Sequence, residues 1–437
     1  MKLARSIGLL TLLALPASAG GPVLPFVEDD YAKALSQAVE RHVPIFVDAW
    51  APWCHTCRSM QAFVFTDASL APRARQFVWL SINTEKKSNA AFLTKYPVEA
   101  WPTLFVVDPN TETALVRFAG GATVTELGKL LDDGRRAAEG QEKGVDEILA
   151  KADLLYGEKK HVEAAAAYRK ALAKAPADWP SYPRAVQSLL FASRRAGDRK
   201  GCAEAARDAF PRLRNLPSAA DVTASGLDCA LSLKPDDPGR PALVGALAAD
   251  AREVIGRRSA DVAADDISSL YGSLADEREA AGDEAGRHQI LVDWASFLEA
   301  EAARAATPEA RTVFDSHRLE VYLALGQAER AIPMLKQSEK DFPDDYNPPA
   351  RLALAYEGMK EYERALMASD SALHRAYGPR MIQILTARSR ICLEKGDRLS
   401  ARIAMEEAIR NAEALPPGQR SDAQIASLQK RLEELPQ

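Results

Sequence analysis

Histidine and cysteine are scarce in this chain, six and five among 437 residues. So few cysteines exclude a disulfide-dense scaffold. One close pair exists, Cys54 and Cys57, with no second CxxC and no HxxxH near it, so a zinc site lacks half of its ligands. Arg58 stands where a c-type haem attachment needs histidine. No stretch beyond the N-terminus is apolar for long enough to span a bilayer. A net charge of −5, without a polybasic tail, a long charge run or a glycine-rich phosphate loop, argues against nucleic acid and nucleotides as partners. No motif calls for a metal or an organic cofactor. The isolated Cys202, Cys229 and Cys392 are expected to pack as small apolar residues in helices. A Cys202–Cys229 disulfide is the alternative, left open because spacing does not give geometry.

The N-terminus has the pattern of a secretory signal peptide over residues 1–19. Lys2 and Arg5 form a basic start, Ile7 to Leu15 an apolar centre and Ala17-Ser18-Ala19 a cleavage pattern. The centre is too short to cross a membrane, and no cysteine follows it to take a lipid. The expected mature chain is periplasmic or secreted, with no membrane span. That compartment is oxidising.

What the chain does have is Trp53-Cys54-His55-Thr56-Cys57, directly after an apolar run from Val43 to Ala51, and Trp101-Pro102-Thr103 opening a second apolar run. Two thiols with two residues between them can close a small ring. The thiolate is the nucleophile of such a pair. If Cys54 opens a helix running through Arg58 and Gln61, unpaired backbone N–H groups favour its negative charge. Cys57, one turn further in, is then the resolving thiol. His55 adds positive character.

The stretch from Val47 to Cys57 resembles the active-site strand and turn of the thioredoxin superfamily, and Trp101 to Phe105 resembles its cis-proline loop. Phe63 to Asp67, with a strand from Phe77 to Ile82, is similar to periplasmic thiol–disulfide interchange domains of the DsbD type. The resemblance covers roughly residues 25–135 and implies an α/β thioredoxin fold. It implies that Asp48 is a buried carboxylate handling the Cys57 proton, that Pro102 is cis, and that Trp53, His55, Trp101 and Thr103 face the substrate. It also implies protein substrates carrying disulfides or thiols, a further redox partner, and reduction favoured over oxidation. Three departures stand out. His55-Thr56 is not Gly-Pro. Residues 77–82 hold no lysine to pair with Asp48, which should therefore titrate high. Trp101 is bulky and narrows the groove.

Gly134, Gly140 and Gly144 punctuate a charged stretch read as a helical end or linker, residues 136–145, after a domain at 20–135. From residue 146 to 437 alanine, leucine, arginine and glutamate dominate at helical spacing, so this part is expected to be all-α. It repeats: Tyr322, Ala331 and Leu335 with Pro343 recur in phase as Tyr356 and Ala365, then as Cys392 and Ala401, and Leu155 to Pro176, with Ala164, Tyr168 and Ala171, fits the same pattern. A period of about 34 residues marks a helix-turn-helix unit, and these segments resemble tetratricopeptide repeats. The resemblance implies a solenoid that binds proteins or peptides; a helical spacer or dimerisation module is the plainer alternative. The stretch 214–256 fits no repeat. Three readings follow: an exported thiol–disulfide oxidoreductase with a protein-interaction array, a non-catalytic scaffold with a docking domain, or a redox sensor.

Overall fold

The structure, a computed structural model, describes residues 23–141, 143–257 and 261–436. The expected signal peptide lies outside the described residues. Five strands form one sheet: β1 Phe26–Glu28, β2 Ile45–Trp50, β3 Val78–Asn83, β4 Thr103–Val107 and β5 Ala114–Ala119, in the order β1-β3-β2-β4-β5. β1 and β2 run parallel to β3, whereas β4 is antiparallel to both β2 and β5. The central strands are apolar on both faces because both are covered. Phe46, Trp79, Leu104 and Val106 pack under one set of helices, and Ile45, Val47, Leu80 and Phe105 under another. Fully burying side chains of this size contributes about 1.5–3 kcal/mol each.

Four helices serve this sheet: α1 Tyr31–Arg41, α2 His55–Ser59, α3 Ala90–Lys95 and α4 Val124–Ala138. Asp30 caps α1 by accepting from Lys33 N, and a capping box of Thr123 and Glu126 starts α4. α2 does not continue as regular helix but as a π-helical turn, Met60–Val64. α4 runs to Ala138, past residue 135 where the sequence suggested the end of the domain.

The remaining helices pack as successive hairpins. They are α5 Val145–Gly157 with α6 His161–Lys174, α7 Tyr182–Arg195 with α8 Arg199–Leu213, α9 Ala219–Leu231 with α10 Arg240–Arg257, and α11 Ala264–Ala280 with α12 Glu284–Arg304. A short α13 Pro308–Thr312 precedes α14 Asp315–Ala324 with α15 Ala331–Asp341, α16 Asn347–Gly358 with α17 Tyr362–Arg375, α18 Pro379–Lys395 with α19 Arg398–Glu413, and a closing α20 Asp422–Glu434. The repeat residues lie where these helices cross: Tyr322, Ala331, Leu335, Tyr356, Ala365, Cys392 and Ala401 are all buried. In two repeats an arginine eight positions on covers the tyrosine, Arg330 over Tyr322 and Arg364 over Tyr356. One hairpin cannot bury its own apolar face, and stacking joins the faces into one core.

One sequence expectation needs correction. Cys202 and Cys229 do not pack as separate small residues; they form a disulfide, with their Cα atoms 6.1 Å apart. The cause is that α8 and α9 are antiparallel neighbours whose facing positions meet at that point. Cys392 is free and buried. Residues 214–256, which show no repeat signature, still form a helical hairpin, because Val222, Leu227, Leu243 and Leu247 supply its buried face. Among the described residues no helix is long and apolar enough to cross a membrane.

The array starts on the sheet and comes back to it. α5 and α7 pack on β5, while α11 and α13 pack on α2. Farther along, the residue before α18, Gly378, and the loop before α20, at Gly418, touch the segment 85–94.

Candidate active site

Cys54 is the N-cap of α2, its backbone extended at φ −75° and ψ 114°, and its Sγ accepts from Cys57 N at 3.0 Å. The unpaired amides of a first helical turn favour a thiolate there. Cys54 and Cys57 form a disulfide. Cys57 is fully buried and Cys54 is 5% exposed. The Trp101–Pro102 bond is cis, and Pro102 O accepts from Gly120 N at 2.9 Å. Trp53 and Trp101 meet edge to face with ring centroids 5.2 Å apart. Trp101 Nε1 is donated to Thr84 Oγ1 at 2.7 Å. The Thr103 hydroxyl is committed to Ala100 O at 2.7 Å and its side chain is buried.

Asp48 lies on β2, 1% exposed, and its Oδ1 has no hydrogen-bond partner. Burial, and then the negative charge of Glu28, push its pKa up to about 8, while a hydrogen bond from Gln61 opposes the shift. The register explains the missing cation: Asp48 pairs with Ser81 on β3, where a lysine would have served.

The helical array covers the mouth of this site. Asn347 Nδ2, at the start of α16, is donated to Pro52 O at 3.1 Å, and one turn on the Arg351 guanidinium reaches Trp53 O at 3.5 Å. Arg58 is donated to Pro52 O at 2.7 Å and forms an ion pair with Asp345. Glu85 accepts from Trp53 Nε1 at 2.9 Å and from the Tyr346 hydroxyl. Burial raises its pKa to about 7. Burial of the Arg351 cation pushes its pKa down to about 10. The Arg380 guanidinium lies 5.8 Å from the Trp53 ring centroid. His55 meets the array too: its ring is 4.1 Å from that of His317, and its Nδ1 is 3.6 Å from Asp265 Oδ2. Ser59 on α2 is donated to Asp265 Oδ1 at 2.6 Å.

The structure thus gathers Cys54, Cys57, Trp53 and Trp101 in one cluster at the start of α2, with His55 its first residue, Asp48 on the preceding strand β2 and cis Pro102 just before β4, which pairs with β2. Sequence reasoning missed the covering residues, Asp345, Tyr346, Asn347 and Arg351 chief among them.

Comparison with known proteins gives the following likenesses. The Thioredoxin-like family profile matches residues 27–109. The thioredoxin of Synechocystis sp. is 30% identical over 108 residues, which are 25% of this chain and 94% of that protein. Protein disulfide-isomerase 1 of Dictyostelium discoideum is 28% identical over 123 residues, 27% of this chain; the chain spans 32% of that relative's length. A crystal structure of a tetratricopeptide repeat protein from Parabacteroides merdae aligns over 66% of this chain and 98% of its own, at 13% identity and a TM-score of 0.41.

Proposed function

This chain belongs to the thioredoxin family, and we propose that it is an exported thiol–disulfide oxidoreductase whose helical array governs what reaches Cys54 and Cys57. The observation that carries this reading is Cys54 at the N-cap of α2 with its Sγ on the Cys57 amide, in the domain that holds buried Asp48 and cis Pro102. In the reductive direction, which the DsbD-type resemblance favours, the Cys54 thiolate attacks a substrate disulfide and expels one substrate thiolate. Cys57 then attacks Cys54 Sγ, the second substrate thiolate leaves, and the Cys54–Cys57 bond closes. Two electrons pass to the substrate. The Cys57 proton goes to the Asp48 carboxylate, whose pKa near 8 lies close to that of an ordinary thiol, so the transfer is nearly level in energy. No organic cofactor or metal takes part.

The array decides access. Asn347 and Arg351 bind the carbonyls of Pro52 and Trp53, and Tyr346 holds the Glu85 that fixes Trp53. A folded protein substrate reaches Cys54 only after these contacts part, whereas a slender thiol does not need them to part fully. The substrates are proteins or peptides recognised first by residues 146–437, and residues 20–135 perform the exchange. The test is a Cys57→Ala variant in cells: mixed disulfides through Cys54 with exported proteins are expected. Their absence, together with no exchange by the wild type on dithiol substrates, would remove the reading.

A second reading, a redox sensor, draws on the same contacts. The array holds the two carbonyls that precede Cys54 in the chain, so a change of bond at Cys54 acts directly on α16. Backbone hydrogen exchange over residues 345–351, oxidised against reduced, tests it: equal protection in both states would exclude a sensor.

A further inference from the structure

Glu28, Ser81 and Asp48 stand in one row across β1, β3 and β2, because Glu28 pairs with Ser81 and Ser81 pairs with Asp48. Paired residues on neighbouring strands project to the same side of the sheet. The row is therefore a polar ladder across three neighbouring strands of the sheet. Ser81 Oγ accepts from Trp50 Nε1 at 2.9 Å, and Ser81 stands between the two carboxylates in the row. Glu28 is exposed, while Asp48 is 1% exposed with Oδ1 unpartnered. Both line one pocket of about 520 Å³, together with Leu24, Phe26, Gln61 and Ser81. Every residue of that lining falls between Val23 and Ser81, so the pocket belongs to the sheet domain alone. The array, seated at Pro52, Trp53 and Arg58, leaves it untouched.

A buried acid that takes a proton at each turnover must also release it. On the side of the sulfurs, the array stands in the way. We propose that Glu28 is a positioning residue that acts through Asp48, carrying the Cys57 proton between Asp48 and solvent by way of this pocket while the array stays closed. The inference rests on the oxidoreductase reading and gives that site its proton path. The step balances: Cys57 S–H gives its proton to the Asp48 carboxylate, and the protonated Asp48 returns it across the pocket to the Glu28 carboxylate, which releases it to water. The electrons move only between sulfurs.

The groups that set the titration of this path can be named. Asp48 faces Glu28 from β1 and Gln61 from the π-helical turn, and Glu28 faces Ser81, Asp29 and Lys86. The negative charge of Glu28 makes Asp48 hold its proton more tightly.

The experiment follows reduction of the full-length oxidised protein by dithiothreitol, and its reoxidation, from acid to alkaline pH in wild type, Glu28→Gln, Glu28→Asp and Ser81→Ala. Glu28→Gln is expected to slow exchange at about pH 7 on the order of tenfold and to move the alkaline limb of the profile to lower pH, since the charge that raises Asp48 is gone. Glu28→Asp should restore most of the rate. Ser81→Ala should fall between. A Glu28→Gln profile that superimposes on wild type, or one lowered equally at every pH with no rescue by aspartate, overturns the relay and leaves the oxidoreductase reading standing. A wild type that exchanges at no pH overturns that reading, and the relay with it.

Discussion

Replacing Asp48 by asparagine should make the protein more stable, by an amount that grows with pH. Asp48 is buried with no cation beside it; burial first, and the Glu28 charge second, lift its pKa to about 8 from an ordinary 3.8. Between those two values the folded protein keeps a proton that the unfolded chain has already lost. Protons are then in excess on the folded side, so stability falls as pH rises: the contribution is whole below about 3.8 and gone once pH has passed about 8. At about 1.36 kcal/mol per pH unit, the gap corresponds to about 6 kcal/mol. Asparagine matches the shape of the neutral acid and carries no charge to bury. Wild type and variant should coincide near pH 4, differ by roughly 3 kcal/mol at about pH 6, and by about 6 kcal/mol beyond pH 9. Urea unfolding of the oxidised protein, followed by tryptophan fluorescence, measures this. Trp50, Trp53, Trp79 and Trp101, four of the six tryptophans, report on the sheet domain. A difference that stayed level from acid to alkaline pH would refute the reasoning, because it would mean that Asp48 ionises as freely in the fold as in the open chain.

Other predictions concern the array. Gly378 has φ +58° and a Cβ placed there would lie 2.0 Å from Glu85 O, so Gly378→Ala should weaken docking by roughly 1–3 kcal/mol. The reduced variant should then alkylate at Cys54 at least several-fold faster than wild type; an unchanged rate would show that this edge does not hold the array shut. Removing the Cys202–Cys229 bridge, which spans 27 positions, should cost about 3–4 kcal/mol in thermal or urea unfolding while exchange at Cys54 is retained. His317 is held neutral: burial, then His55 and Arg351, keep its pKa well below the ordinary 6.5. The folded protein thus lacks a proton that the unfolded chain gains as pH falls through 6.5, and stability at this interface should decline on acidification. Amide exchange in α14 should accelerate there, and His317→Leu should flatten the dependence.

The chemistry of the site was legible because it is local. A CxxC at a strand-to-helix turn, a proline after a tryptophan and an aspartate inside an apolar strand each sit within a few residues of the element that positions them. The absence of lysine between Phe77 and Ile82 even gave the direction of the Asp48 shift, since the strand neighbour of Asp48 is then Ser81. The later repeats were legible for a similar reason: Tyr322, Tyr356 and their small partners recur in phase, and phase is what stacking needs. The covering of the site was not. Asn347 meets Pro52, and Arg351 meets Trp53, across almost three hundred residues of chain. Nothing local distinguishes these side chains from solvated ones on a helix start. The Cys202–Cys229 bridge was hidden in the same way, because a sequence spacing does not say that two helices are neighbours. The π-helical turn after α2 also left no mark in the composition, and its cause is not evident in the structure.

The proposed function requires that Cys54 and Cys57 form a working redox pair beneath the array. Equilibrating the full-length protein in graded thiol–disulfide buffers, quenching with an alkylating agent and mapping all five cysteines by mass spectrometry tests it. Cys54 and Cys57 are expected to take up label together and reversibly, as one two-electron couple, while Cys202 and Cys229 stay closed under the same conditions. A Cys54–Cys57 pair that opens only when the protein is denatured, or that does not close again, would contradict it.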